Sequence, residues 1–183
     1  MTETEEALLV KRLLDEKTQR DAFSVLVNSF SERLYWQIRK IVISHEDAND
    51  VLQNTFIKIW TNIDSFRGDS KLTTWLYKIA INESISFINK QRQQQNVPLD
   101  DNDNFLEAKL ESDSYFDGDE AQLKLQKAIL TLPEKQRIVF NLKYFEEMKY
   151  EEMSEVLDTS VGALKASYHH AVKKIEDFLS QSN

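Results

Sequence analysis

Cysteine is absent from this 183-residue chain, glycine occurs three times and proline twice. Without cysteine there is no disulfide framework, thiol nucleophile or cysteine-based zinc site, and a reducing compartment is favoured. So few glycines and prolines argue against an all-β chain, which needs many tight turns. Long apolar runs are missing too, so no membrane insertion is expected. The N-terminus MTETEEALLVKRLL carries acids where a signal peptide carries basic residues, and a cytoplasmic protein is expected. No Gly-rich phosphate loop and no internal period appear. The three histidines have no evident catalytic partners, so neither an enzyme, a cofactor nor a metal is expected. A basic excess is also lacking: 23 Lys and Arg face 31 Asp and Glu, a net charge of -8.

That charge is unevenly placed. Residues 1–95 hold 13 basic and 13 acidic side chains, and residues 121–183 hold nine of each. Residues 96–120, NVPLDDNDNFLEAKLESDSYFDGDE, hold nine acids and one lysine. The whole negative balance therefore sits in one segment, which also contains Pro98 and Gly118 and has weak periodicity. It reads as an extended, flexible acidic linker between two neutral units. The fold class that follows is all-α: two small helical domains, 1–95 and 121–183, joined by 96–120.

Both units show helical periodicity. A short helix is expected near residues 5–17. In the next, Phe23, Leu26, Val27, Phe30, Leu34, Ile38, Ile41 and Val42 recur at steps of three and four. A further helix runs through EDANDVLQNTFIKIWTNI, with Ser44 placed to cap it. DSFRGDS breaks the pattern around Gly68, and LTTWLYKIAINESISFINKQRQQ resumes it. Trp60 and Trp75 read as structural, Tyr77 as exposed. In the second unit a helix over 121–131 ends at Leu132-Pro133-Glu134, where Pro133 suits a helix start. EKQRIVFNLKYF, a break at 146–149, YEEMSEVL, the turn DTSVG and a long last helix follow.

Two helices around a tight turn, the second basic, form the helix-turn-helix pattern. Leu164, Tyr168, Val172, Ile175 and Leu179 make the inward stripe of the last helix, while Lys165, His169 and Lys173 stand four apart on another face. No acid occurs from 159 to 175. Thr159 or Ser160 can cap the helix and leave N–H groups aimed at a phosphate. Ser160, Ala163, Lys165 and Ser167 stand where base edges would come. Glu151, Glu152 and Glu155 on the preceding helix make any DNA surface one-sided. The plain alternative is a helical hairpin whose lysines are a solvated face. His169 and His170 are adjacent and diverge, which disfavours a metal.

With these units in place, nearly the whole chain resembles an extracytoplasmic-function (ECF, group IV) sigma factor of bacterial RNA polymerase. EDANDVLQNTFIKIW resembles that family's core-binding helix, and DSFRGDSKLTTWLYKIAIN its −10 recognition loop and helix. LPEKQRIVFNLKYFEEMKYEEMSEVLDTSVGALKASYHHAVKKI resembles its −35-binding domain.

The resemblance implies three partners: core RNA polymerase, promoter DNA and an anti-sigma factor. It implies core-polymerase contacts at Asp47, Asp50, Val51, Gln53, Asn54, Phe56 and Ile57. It places −10 contacts at Phe66, Arg67, Ser70, Lys71, Tyr77, Lys78 and Asn82, Phe66 lining a pocket for a flipped base and Asn82 reading a base edge. Lys90 and Arg92 offer further phosphate contacts. It places −35 contacts at Ser160, Lys165, Ser167, His169, His170, Lys173 and Lys174. The linker is implied to thread the basic channels of the polymerase, or to act simply as a solvated spacer. Asn54 stands where the family often has glutamate, and Lys165, Ser167 and His170 where it often has arginine, so weak −35 binding in isolation is expected. The rival reading is a helix-turn-helix regulator that binds operator DNA without core polymerase.

Overall fold

The computed structural model describes residues 2–66, 68–97, 102–113 and 118–181, and among them every regular element is helical. The N-terminal unit contains α1 (Glu3–Leu13), α2 (Gln19–Val42), α3 (His45–Asn62) and α4 (Leu72–Gln94), with a 3-10 turn at Ile63–Ser65. Thr2 and Glu5 form a reciprocal capping box that starts α1. Between α2 and α3 the chain reverses in a γ-turn: Ile43 has φ 71°, and Ser44 N–H donates to Val42 O at 2.9 Å. That geometry is strained for a β-branched residue. Burial of the Ile43 side chain in the core offsets it. Ser44 then caps α3 by accepting the Asp47 N–H, as its position in the sequence predicts.

The C-terminal unit contains α6 (Glu120–Leu130), α7 (Glu134–Tyr144), α8 (Tyr150–Leu157) and α9 (Val161–Gln181). Asp119 caps α6, accepting the Gln122 N–H at 2.8 Å. Asp158 ends α8 in the left-handed region (φ 50°), which aspartate tolerates better than most residues. Of the two capping candidates for α9, Ser160 takes the role: Ala163 N–H donates to Ser160 Oγ at 3.3 Å. Thr159 instead donates to Leu157 O at 3.0 Å. Leu164, Ala171 and Ile175 are buried on α9, while Tyr168, Val172 and Leu179 are half-buried.

The segment 96–120 departs from an extended linker. It contains α5 (Asn102–Ser112), with Leu106 and Leu110 buried in the main core. Their spacing of four places both on one side of a helix. The flanking acids dominate the composition and hide this short apolar stripe. Lys109 pairs with Asp47 of α3, Asp113 pairs with Arg39 of α2, and Lys127 of α6 reaches Glu107 and Glu111 at 3.0 and 2.8 Å. Residues 98–101 and 114–117 lie outside the described residues.

The two units are closed on one another. One apolar cluster runs from Leu26, Leu34, Ile81 and Tyr77 through Ile138, Leu142, Met148, Met153 and Val156. A smaller one, Ala128, Ile129, Leu132, Phe140, Ala171 and Ile175, belongs to the C-terminal unit alone. α4 packs against α8, and α2 against α7. α4 is therefore flanked by α2 and α3 on its own side and by α8 across the interface.

Candidate nucleic-acid and polymerase interfaces

Three surfaces carry the residues singled out in the sequence. On α3 the exposed positions include Asp50, Gln53, Asn54 and Ile57. Steps of three and four put them on one side of the helix. Ile57 is 63% exposed and Trp60 39% exposed, so two large apolar groups sit beside an acid and two amides. Trp60 is thus not a core residue, although its ring meets Phe23 edge-on at 4.9 Å. Phe56 is half-buried, its ring 6.4 Å from that of Phe23. Val51 is 1% exposed and belongs to the core, since α3 turns it toward its neighbours. Asp47 accepts from Gln91 of α4 at 3.0 Å and pairs with Lys109. The α3 stripe is open at its middle and engaged by α5 at its N-terminal end.

The second surface is the loop before α4 and the outer face of that helix. Gly68 has φ +76°, a conformation that favours glycine. Phe66 is buried, its ring 5.1 Å from Trp75. With Gly68, Ser70, Lys71 and Leu72, and with Glu6, Ala7 and Val10 of α1, it lines a cavity of about 360 Å³. Arg67 lies outside the described residues. Asn82 is exposed but ten residues along α4 from Leu72, a rise of roughly 15 Å, so it does not share the Phe66 cavity. Lys90 is exposed, whereas Arg92 is buried and offers no open phosphate contact.

Tyr77 departs most from expectation. It is 1% exposed, not open, and its hydroxyl donates to Glu146 at 2.8 Å. Burial, and then the neighbouring Glu146 carboxylate, push its phenol well above the ordinary tyrosine value. Glu146 also takes Lys40 Nζ at 2.7 Å, and the Arg33 guanidinium lies over the Tyr77 ring at 5.6 Å. Lys71 pairs with Glu152 at 2.7 Å, and its ammonium holds the Glu152 carboxyl below the usual range. Lys78 reaches Asp158 at 2.7 Å. Three cationic or hydroxyl groups of the α4 face are therefore met by three carboxylates of the C-terminal unit. The acids around α8 hinted at this in the sequence, but which surface they face is a long-range fact.

The third surface is α9. Ser160, Lys165, His169, His170, Lys173 and Lys174 are exposed and Ser167 is half-buried. The three lysines form no ion pair among the described residues, and Lys165 Nζ sits 5.6 Å from the Tyr150 ring. The His169 and His170 rings are 6.0 Å apart and tilted. Among the described residues no cluster of His, Asp and Glu is arranged to hold a metal, and no helix is long and apolar enough to cross a membrane.

Comparison with known proteins supplies the family. Residues 26–94 match Sigma-70 region 2, and residues 122–175 match Sigma-70, region 4. The ECF RNA polymerase sigma factor SigW of Bacillus subtilis is 30% identical over 173 residues, covering 90% of this chain and 92% of that protein. The chain belongs to the ECF sigma factors. It is a non-catalytic subunit that binds core RNA polymerase and directs promoter recognition. The ECF sigma-E factor of Haemophilus influenzae is 28% identical, with 92% of each chain covered. The sigma factor's fold is similar to that of CnrH in complex with the cytosolic domain of CnrY, at TM-score 0.71 and 21% identity over 97% of this chain and 99% of that one. It is also similar to RpoE in complex with the anti-sigma factor NepR from Bartonella quintana, at TM-score 0.68 and 22% identity over 86% and 96%.

Proposed function

We propose that this sigma factor divides its work between its two units as the three surfaces suggest. Residues 1–95 bind core polymerase and the −10 strand, residues 121–183 bind the −35 duplex, and residues 96–120 join them. The observation that carries this division is the placement of the α9 lysines on an exposed face whose N-terminus is capped by Ser160. A helix so presented suits the major groove, with its first turn near base edges.

On α3, Asp50, Gln53, Asn54 and Ile57 form the polymerase-binding stripe, with Trp60 added at its edge. The apolar pair supplies desolvation energy, and the acid and amides suit a basic partner. Phe56 supports the stripe from below, and Val51 acts through packing alone. Asp47 joins the contact once Lys109 releases it.

At −10, Phe66, Ser70 and Lys71 hold an extruded base and its phosphate, and Asn82 reads a position further along the strand. Lys71, Tyr77 and Lys78 become available only when Glu152, Glu146 and Asp158 withdraw, so −10 binding requires the C-terminal unit to leave α4. Docking on the polymerase, which holds the two units apart at −35 and −10, provides that opening. An anti-sigma factor is the regulator proposed for the closed form, by similarity to the complexes of CnrH and RpoE.

The test is transcription from selected promoter fragments with purified core polymerase. Specific transcripts are expected only when both components are present. Sequence-specific duplex binding by the chain alone, with no core-dependent initiation, would favour the operator-binding regulator instead.

A further inference from the structure

One carboxylate of the C-terminal unit, Glu146, is held by three side chains of the other unit. Lys40 Nζ of α2 donates to Oε1 at 2.7 Å, and the Tyr77 hydroxyl of α4 donates to Oε2 at 2.8 Å. The Arg33 guanidinium of α2 stands 4.0 Å from the same Oε2. Arg33 and Lys40 are seven residues apart, about two turns of one helix, so both lie on one side of α2 and bracket a single anion.

Among the described residues Glu146 is the only acid within ion-pair distance of Lys40 or Arg33. When the C-terminal unit leaves α4, two cations and a hydroxyl therefore stay together with no anion between them. A carboxylate and a phosphate diester offer such donors the same thing, anionic oxygens that accept short, charge-assisted hydrogen bonds. Donors placed for one suit the other.

Gln37 gives independent support. It stands one turn from both cations on the same side of α2. It is fully buried, and neither Oε1 nor Nε2 has a hydrogen-bond partner among the described residues. Leaving a buried polar group unpaired costs about 1–3 kcal/mol. An amide that the closed form leaves unpaired is explained by a partner that the closed form excludes, and a phosphate oxygen accepts its N–H. The site is narrow, because Glu32 and Glu6 line the two clefts that flank Glu146. It suits one phosphate, not a track along the backbone.

We propose that Arg33 and Lys40 of α2, with the Tyr77 hydroxyl of α4, form a seat for one backbone phosphate of the −10 strand, and that Glu146 fills it in the closed form as a stand-in. This rests on the −10 reading given above and carries it onto α2. Lys71 and Lys78 of α4 are uncovered by the same movement, which favours the DNA backbone over an acidic protein segment as the ligand.

The experiment uses the full chain with core polymerase and a promoter whose −10 region is held single-stranded by mismatches. Phosphates of the non-template strand are replaced one at a time by neutral methylphosphonates, and affinity is read by competition. At the phosphate served by this seat the wild type should lose about tenfold. In Lys40→Gln that position should become insensitive while the others respond as in the wild type. The salt slope should fall by about 0.7, and base preference should be unchanged, because a phosphate contact carries no sequence information. Arg33→Gln alters a side chain already 54% exposed. It should blunt the same position to a smaller degree, which separates a lost contact from a fold defect. If both variants keep the wild-type profile at every phosphate, the seat serves only Glu146 and the proposal falls, while sensitivity at other phosphates leaves the −10 reading intact. If the wild type is insensitive at every −10 phosphate, that reading falls too.

Discussion

The two surfaces of this sigma factor proposed to meet DNA differ in how they are held. On α9 the lysines are exposed and without ion pairs among the described residues. On α4 the corresponding groups are met by carboxylates: Lys71 by Glu152, Lys78 by Asp158, Tyr77 by Glu146. The same C-terminal unit presents a basic helix to one side and acidic side chains to the other. Net charge hides this completely, because the unit is neutral overall. In the proposed reading, access to DNA follows from the direction each charge faces. On the assignment proposed above, the −35 surface is ready in the closed form, while the −10 surface is built but covered.

The largest change should come from removing the cover. The triple substitution Glu146→Gln, Glu152→Gln and Asp158→Asn keeps shape and removes three charges. It should raise the affinity of the free protein for single-stranded −10 DNA by about tenfold or more, equivalent to ~1.4 kcal/mol. Binding to −35 duplex should stay as it was, which fluorescence anisotropy on both probes will show. Next in size is Lys165→Ala. Losing one phosphate contact should weaken −35 duplex binding across sequences and reduce the salt slope by about 0.9, while the −10 affinity of the free protein is unaffected.

Tyr77→Phe removes one hydroxyl that donates to a carboxylate across the interface. A loss of about 1–2 kcal/mol in unfolding free energy is expected, read by denaturant titration, with α9 binding unchanged. The smallest effect is that of pH on Glu152. Its carboxyl is held below the usual range by Lys71, so the ion pair contributes above the ordinary glutamate value of about 4.3. That contribution is lost as pH falls through the lowered value. Lys71 is well exposed, so the stabilisation is modest. Acid titration of unfolding should show a shallow loss in the wild type below about pH 4 and a flatter curve in Glu152→Gln.

Much of this was legible in the sequence for a local reason. Helix boundaries, the Ser44 and Ser160 caps and the α9 stripe depend on residues a few positions apart, where periodicity and capping chemistry act. The misses share a different cause. Tyr77 and Arg92 sit on a helix flanked on two sides, so an apparent outer face is an inner one. Val51 lies among polar neighbours on α3 yet points inward, and Trp60 lies at the margin of its helix's buried side. α5 escaped because nine acids outweighed two leucines at a spacing of four. The carboxylates that cover α4, and Glu6 at its N-terminus, are joined to their partners across 66 to 81 residues. Such pairings depend on how the helices pack, which no local pattern records.

The central claim, that the −10 face opens only when the C-terminal unit leaves it, is testable by distance. The chain has no cysteine, so Ser86→Cys on α4 and Ser180→Cys on α9, both at exposed positions, accept paired labels without background. Resonance energy transfer should report a single distance in the free protein and a longer one in the complex with core polymerase and promoter DNA. A distance unchanged between the free protein and a polymerase complex that has bound −10 DNA would contradict the account.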